Sequence, residues 1–221
     1  LAKFNTVTNN FKLWQNTKNN SEFGLSHNDV WAIYADSKNR IWIGTNGGGL
    51  NLLVDEEKST FLKWMADDTL TNSISGNSIY AILESKSSKT NINSDETILW
   101  IGTNNGLSQF IVSGSSKASN LKVIIKNYSS AEGLADNSVN SILEDDNGSL
   151  WLATNSGISF FDSETSKFTN FSKADGIIGP SFNTASAFKS ENGIMFFGNS
   201  AGLNYFDPEL IKLSNYKSNK T

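Results

Sequence analysis

The chain of 221 residues has no cysteine and a single histidine, His27. Without thiols there is neither a disulfide framework nor a thiolate metal site, and one imidazole cannot build a His-rich metal centre. Redox compartment stays open, because a cysteine-free chain suits reducing and oxidising surroundings alike. No apolar run approaches the roughly 20 residues that span a membrane, and the amino terminus shows no signal-peptide pattern. Basic charge is short as well: 18 Lys and Arg stand against 22 Asp and Glu, a formal net charge of -4. That excludes an electrostatic grip on nucleic acid or an anionic membrane surface. No stretch sustains a helical period, and PELIKL from Pro208 is long enough for one turn only.

What the chain does contain is repetition. RIWIGTNGGG from Arg40 returns as LWIGTNNG from Leu99, LWLATNSG from Leu150 and, more loosely, MFFGNSAG from Met195. Each copy is an apolar run that breaks into a Thr/Asn/Ser/Gly turn, and a second apolar run follows at once: LNLL from Leu50, LSQF from Leu107, ISFF from Ile158 and LNYF from Leu203. Two short β runs around a tight polar turn make a hairpin. With Trp42, Trp100, Trp151 and Phe196 as equivalent markers, subtraction gives spacings of 58, 51 and 45 residues, which bracket the period of propeller blades, about 40 to 50 residues.

A further run precedes each marker: VWAIYA from Val30, IYAILE from Ile79, VNSILE from Val139 and TASAFK from Thr184. Another closes the unit: FKLW from Phe11, FLKW from Phe61, VIIKNY from Val123 and FTNF from Phe168. Each unit is thus a four-stranded antiparallel meander. A sheet so small cannot bury its own faces, so the units must stack, and the fold class is all-β, a β-propeller of about four blades cut from a larger ring. The expected organisation is one segment: a partial blade over residues 1–14, blades over 24–64, 73–128, 133–171 and 176–207, and an exit segment over 208–221. The second blade carries a Ser/Asn/Lys-rich inserted loop over 85–97. The opening residues read as the middle of a repeat, which implies that targeting segments lie outside this stretch. Either Phe11 to Trp14 supplies the missing fourth strand of the last blade, or the arc stays open with sticky apolar ends.

Strand reversal puts the turns between second and third strands at the same blade end as the links into the next blade. That end collects Asn, Ser, His and Gly, groups that donate and accept hydrogen bonds without net charge and so suit hydroxyl-rich ligands. The candidate ligand contacts are His27, Asn28, Trp31, Asn46, Asn77, Tyr80, Asn104, Asn105, Asn137, Asn155, Asn183 and Asn199. The same residue types also serve turn chemistry, since Asn and Gly tolerate positive φ. Trp42, Trp100 and Trp151 read as inter-blade core, whereas Trp31 and Tyr80 fit either core or a stacking platform. EDDNGS from Glu144 lacks the glutamate that an EF-hand needs about twelve positions on, so a hairpin turn explains Asp145 and Asp146 better. No catalytic residue, metal or cofactor is implied.

GLSHNDVWAIYADSKNRIWIGTNGGGLNLL from Gly24 and GLADNSVNSILEDDNGSLWLATNSGISFFD from Gly133 resemble the two-component regulator propeller repeat. FNTASAFKSENGIMFFGNSAGLNYFDPE from Phe182 resembles the terminal repeat of such proteins, which usually precedes an immunoglobulin-like domain. The resemblance implies a periplasmic sensor region of a bacterial membrane-bound signalling protein, often a hybrid histidine kinase responding to carbohydrate. It implies as partners an oligosaccharide or other small ligand and the adjacent immunoglobulin-like domain and membrane-spanning output region of the parent; the uncovered apolar ends add a second copy in a homodimer, and the charge balance argues against nucleic acid. A polysaccharide-active enzyme and a purely structural interaction scaffold are the rival readings.

Overall fold

A computed structural model of the chain describes residues 1–16, 23–86, 96–114 and 120–211. Among these described residues seventeen strands run in chain order. A leading hairpin, β1 (Ala2–Asn5) and β2 (Asn10–Leu13), is followed by a first blade of β3 (Val30–Ala35), β4 (Ile41–Thr45), β5 (Leu50–Asp55) and β6 (Thr60–Trp64). The second blade comprises β7 (Ile79–Glu84), β8 (Glu96–Thr103), β9 (Gly106–Ser113) and β10 (Lys122–Tyr128), and the third β11 (Val139–Glu144), β12 (Leu150–Thr154), β13 (Gly157–Asp162) and β14 (Lys167–Phe171). The fourth has β15 (Phe182–Lys189), β16 (Met195–Asn199) and β17 (Gly202–Phe206). Every pairing is antiparallel between sequence neighbours. The result is a four-bladed β-propeller whose first strands, β3, β7, β11 and β15, neighbour one another about the axis.

The repeated marker run is an inner strand of each blade and in the first three blades is covered on both sides, which is why it is apolar at nearly every position. Side chains alternate between faces along a strand, so Trp42 packs forward on the second blade with Leu99, Ile101 and Phe110, while Ile43 packs back on Trp14, Leu25 and Phe61. One blade on, Leu99 and Ile101 point back and Trp100 points forward to Leu150 and Phe161. In the third blade Trp151 meets Met195 and Phe197. The three tryptophans are therefore inter-blade core, each ringed by aromatics: Trp42–Trp64 at 5.6 Å, Trp100–Phe161 at 5.4 Å and Trp151–Phe206 at 4.8 Å between centroids.

Sequence details follow from this stacking. Gly44 and Gly102 lie where the next blade's first strand presses closest: a Cβ would stand 2.6 Å from Ile79 Cγ2 and 2.6 Å from the Val139 carbonyl oxygen. Gly49, Gly106 and Gly157 follow the marker turn at φ +74°, +125° and +106°, where a Cβ would come within 2.1 to 2.5 Å of the carbonyl oxygens of Trp64, Tyr128 and Phe171. Glycine is demanded there twice over, by conformation and by contact.

Two expectations need correction. The inserted loop expected over 85–97 ends sooner, because Glu96 and Thr97 pair with Ser113 and Val112 in an eight-residue β8 that matches an equally long β9; residues 87–95 lie outside the described residues. Nor does Phe11 to Trp14 complete the last blade. Among the described residues β2 pairs with β1, Trp14 packs edge-on against Phe61 at 6.5 Å, and the fourth sheet has three strands. The burial of Trp14 on the first blade holds the hairpin at that side. Of the exit segment, residues 208–211 make the single helical turn expected, and the remainder lies outside the described residues.

Candidate functional site

The turns after β4, β8, β12 and β16 and the inter-blade links meet at one end of the propeller, here the upper end. Thr45, Thr103 and Thr154 each donate a hydroxyl hydrogen bond, 2.9 Å, to the carbonyl of Gly49, Gly106 and Gly157, which locks the turn. The links are clasped twice. Asn28, Asn77 and Asn137 accept through Oδ1 from the backbone N–H of Asn16, Ala66 and Ser130, at 2.7, 2.8 and 2.7 Å. Asn51, Ser108, Ser159 and Asn204 accept from the N–H of Ser26, Ser75, Ala135 and Ile178. Sequence reasoning missed this second set. Its signal was legible all the same, as the polar residue at the second place of LNLL, LSQF, ISFF and LNYF.

Other predicted residues knit neighbouring blades. Asn46 donates to Asp29 Oδ2 (3.0 Å) and accepts from the Ser78 hydroxyl (2.8 Å), and Asn104 Oδ1 accepts from the Ser78 N–H at 3.0 Å. Asn105 donates to the Ser75 carbonyl, and Asn155 accepts from Asn140 Nδ2 and the Ser181 hydroxyl. Asn199 is buried and bonds the Ile178 carbonyl and the Ala201 N–H. His27 is exposed and its Nδ1 accepts from the Asp29 N–H at 3.2 Å. Asn183 is exposed at the start of β15. Most of the predicted amides thus carry a structural bond. In Asn28, Asn77 and Asn104 that bond uses only the oxygen; the Nδ2 groups donate to none of the described residues. A backbone N–H partner also fixes which amide atom is the oxygen.

Below this rim the first strands share an irregularity. Val30 pairs with Thr45 and Ala32 with Gly44, so Trp31 is an extra residue, a β-bulge; Tyr80 and Asn140 are bulged at the same place in the next two blades. In the fourth blade Phe182 pairs with Asn199 and Ala187 with Phe197, a longer bulge over 183–186. A bulge re-aims its side chain. Trp31, 43% exposed, stacks on Tyr80 at 5.4 Å and 23°. The pair faces an axial chamber of about 260 Å³ that is open to solvent and whose lining carries no charged side chain.

The lower end has a different character. Asp36 Oδ2 accepts from the Trp42 indole at 2.8 Å and from Arg40 Nε at 2.5 Å, and Asp145 Oδ2 accepts from the Trp151 indole at 3.1 Å. In the second, third and fourth blades the last residue of the first strand reaches the preceding blade: Glu84 accepts from Ser37, Glu144 from Ser85 and Lys86, and Lys189 pairs with Asp146 at 2.5 Å. Burial, joined by the charges of Glu84, Asp36 and Glu144, pushes the Tyr34 hydroxyl above its ordinary range. A second cavity of about 350 Å³ opens here among Leu83, Leu143, Glu144, Asp146 and Lys189. Of its ionic groups, Glu144, Asp146 and Lys189 fasten one blade to the next.

Stacked meanders with one turn-and-link end define the class, a β-propeller. Residues 24–47 and 133–156 match the family model described as two component regulator propeller, so two of the four blades carry that repeat. The chain is 33% identical over 189 residues to Histidine kinase P4 of Formosa agariphila, covering 84% of this chain and 12% of that protein. Among solved structures it resembles the extracellular domain of BT3049 from B. thetaiotaomicron, assigned to a hybrid two component system, with TM-score 0.68, 29% identity and coverage of 87% of this chain and 23% of that one. The extracellular domain of BT4673 from the same organism, likewise assigned to a hybrid two component system, gives TM-score 0.65, 25% identity and coverage of 91% and 25%. The chain spans an eighth to a quarter of the length of these relatives. Among the described residues no helix is long and apolar enough to cross a membrane.

Proposed function

We propose that this propeller is a ligand-sensing, non-enzymatic segment of the periplasmic sensor region of a bacterial two-component signalling protein, with an oligosaccharide as its ligand. The observation that carries the reading is the set of amides at the upper rim. Asn28, Asn77 and Asn104 have their oxygens fixed on backbone N–H groups and their N–H donors unspent. Held donors lose little freedom on binding, which favours a partner rich in hydroxyl acceptors. The relatives support the setting, since the solved domains are extracellular and the curated relative is a histidine kinase. In the parent, an immunoglobulin-like domain after Pro208 and a second copy of the chain would carry the response onward. A ligand transmits a signal only by preferring one arrangement of those parts.

Isothermal calorimetry of the chain against maltohexaose, xylohexaose and laminarihexaose tests the reading, with a thermal-shift series beside it. Binding to the native state raises the melting temperature by mass action, and Asn28→Ala with Asn77→Ala should abolish it. A flat response to all three sugars would favour a scaffold, and turnover of any of them would favour an enzyme.

A further inference from the structure

The rim residues lie above a second element that the sensor reading does not by itself require. Two of the bulged residues, Trp31 and Tyr80, line the axial chamber, and its wall also includes Ile82, Ser141 and, from the longer bulge of the fourth blade, Ala185. The Ser141 hydroxyl belongs to a residue 3% exposed and has no hydrogen-bond partner among the described residues. A buried hydroxyl without a partner is a standing loss unless something arrives to complete it. Across the axis Ala185 holds φ +57°, a left-handed conformation that costs energy for any residue with a Cβ. Aromatic faces carry a negative quadrupole that attracts C–H edges.

We infer that the axial chamber is a binding subsite for one neutral sugar ring, which stacks its C–H face on the Trp31–Tyr80 pair and exchanges a hydrogen bond with the Ser141 hydroxyl. The inference rests on the sensor reading and adds to it a place and a charge selectivity. Neutrality follows from the lining, which offers no counter-charge to a carboxylate or an ammonium. One ring follows from the volume, about 260 Å³, below the usual span of small-molecule sites of about 300 to 1,000 Å³.

The test uses the full chain and follows the indole N–H resonance of Trp31, assigned by its loss in Trp31→Phe. Methyl β-glucopyranoside and methyl β-galactopyranoside are titrated as neutral probes, with glucuronate and glucosamine as charged ones. At least one neutral glycoside should shift the Trp31 resonance saturably, with a dissociation constant of the order of millimolar. Tyr80→Ala should weaken that binding by about tenfold or more. Ser141→Ala should weaken it by about three- to tenfold, with the melting temperature unchanged or raised, because the substitution removes an unpartnered buried group. An effect of Ser141→Ala on stability alone would make the hydroxyl structural and overturn the assignment. If hexaoses give calorimetric heat but every probe leaves Trp31 silent, the axial subsite falls while the sensor reading stands. A preference for glucuronate or glucosamine overturns the neutral class, and silence of both calorimetry and resonance removes subsite and sensor reading together.

Discussion

The forward face of the third blade and the forward face of the fourth carry equivalent positions with opposite fates. Trp151 is 1% exposed beneath Met195, Phe197 and Phe206. Its counterpart Phe196 sits in an open row with Phe188, 64% exposed, and Tyr205, 70% exposed, and stacks on Tyr205 at 5.9 Å. The chemistry below the marker changes in step: Asp145 receives the Trp151 indole, whereas Ser190 stands at the matching place under a phenylalanine that has no N–H to give, and its hydroxyl bonds Ile194 and Asn192 instead. The glycine after the turn tells the same story, since a Cβ at Gly157 would meet the Phe171 carbonyl oxygen at 2.2 Å while one at Gly202 meets nothing within 4 Å. A covering blade and a fourth strand, rather than the residue type, turn a repeat position into core.

The comparison is broken most directly by truncation. Trp151→Ala should destabilise the chain by about 3–5 kcal/mol in urea unfolding, the range for a large buried aromatic, and Phe196→Ala by about 1 kcal/mol or less; equal losses would mean that the fourth face is covered in solution. Next come the glycines. Gly157→Ala should cost about 3 kcal/mol through backbone collision, whereas Gly202→Ala should show only the left-handed penalty of about 1 kcal/mol, both read by the same titration.

Asp145→Ala strands the Trp151 indole and the N–H groups of Asn147 and Ser149, which Asp145 Oδ1 accepts at 2.9 and 3.1 Å; a loss of about 2–3 kcal/mol is expected. Ser190→Ala, without such a load, should cost under about 1 kcal/mol. Replacing Phe188 and Tyr205 by serine should leave the melting temperature nearly unchanged but reduce concentration-dependent light scattering, because an exposed apolar face drives association. The smallest effect concerns the link into the third blade. The Ser129 hydroxyl and N–H donate to Glu132 at 2.8 and 2.7 Å and hold its carboxyl below the usual glutamate range. That contribution is complete above about pH 4.5 and is lost as pH falls through the lowered value, so amide exchange at Ser129, corrected for its intrinsic rate, should accelerate only in acid.

Much of the propeller could be read before any coordinates. The marker runs, the hairpin turns and the assignment of Trp42, Trp100 and Trp151 to the core follow from periodicity, because a strand covered on both faces must be apolar throughout. The rim was legible as a place but not as a role, since an asparagine that clasps a backbone N–H and one that awaits a ligand share the same letter. Trp31 and Tyr80 could be placed at the upper end, yet their stacking depended on bulges that only the pairing register reveals.

Local residue order thus determined the strands, the turns and the blade count, because these depend on contacts between residues a few positions apart. Which faces are buried, where the axial chamber lies and that the leading hairpin rests on the first blade were decided by tertiary packing. Each of these joins surfaces far apart in the chain, and no local pattern encodes their distance.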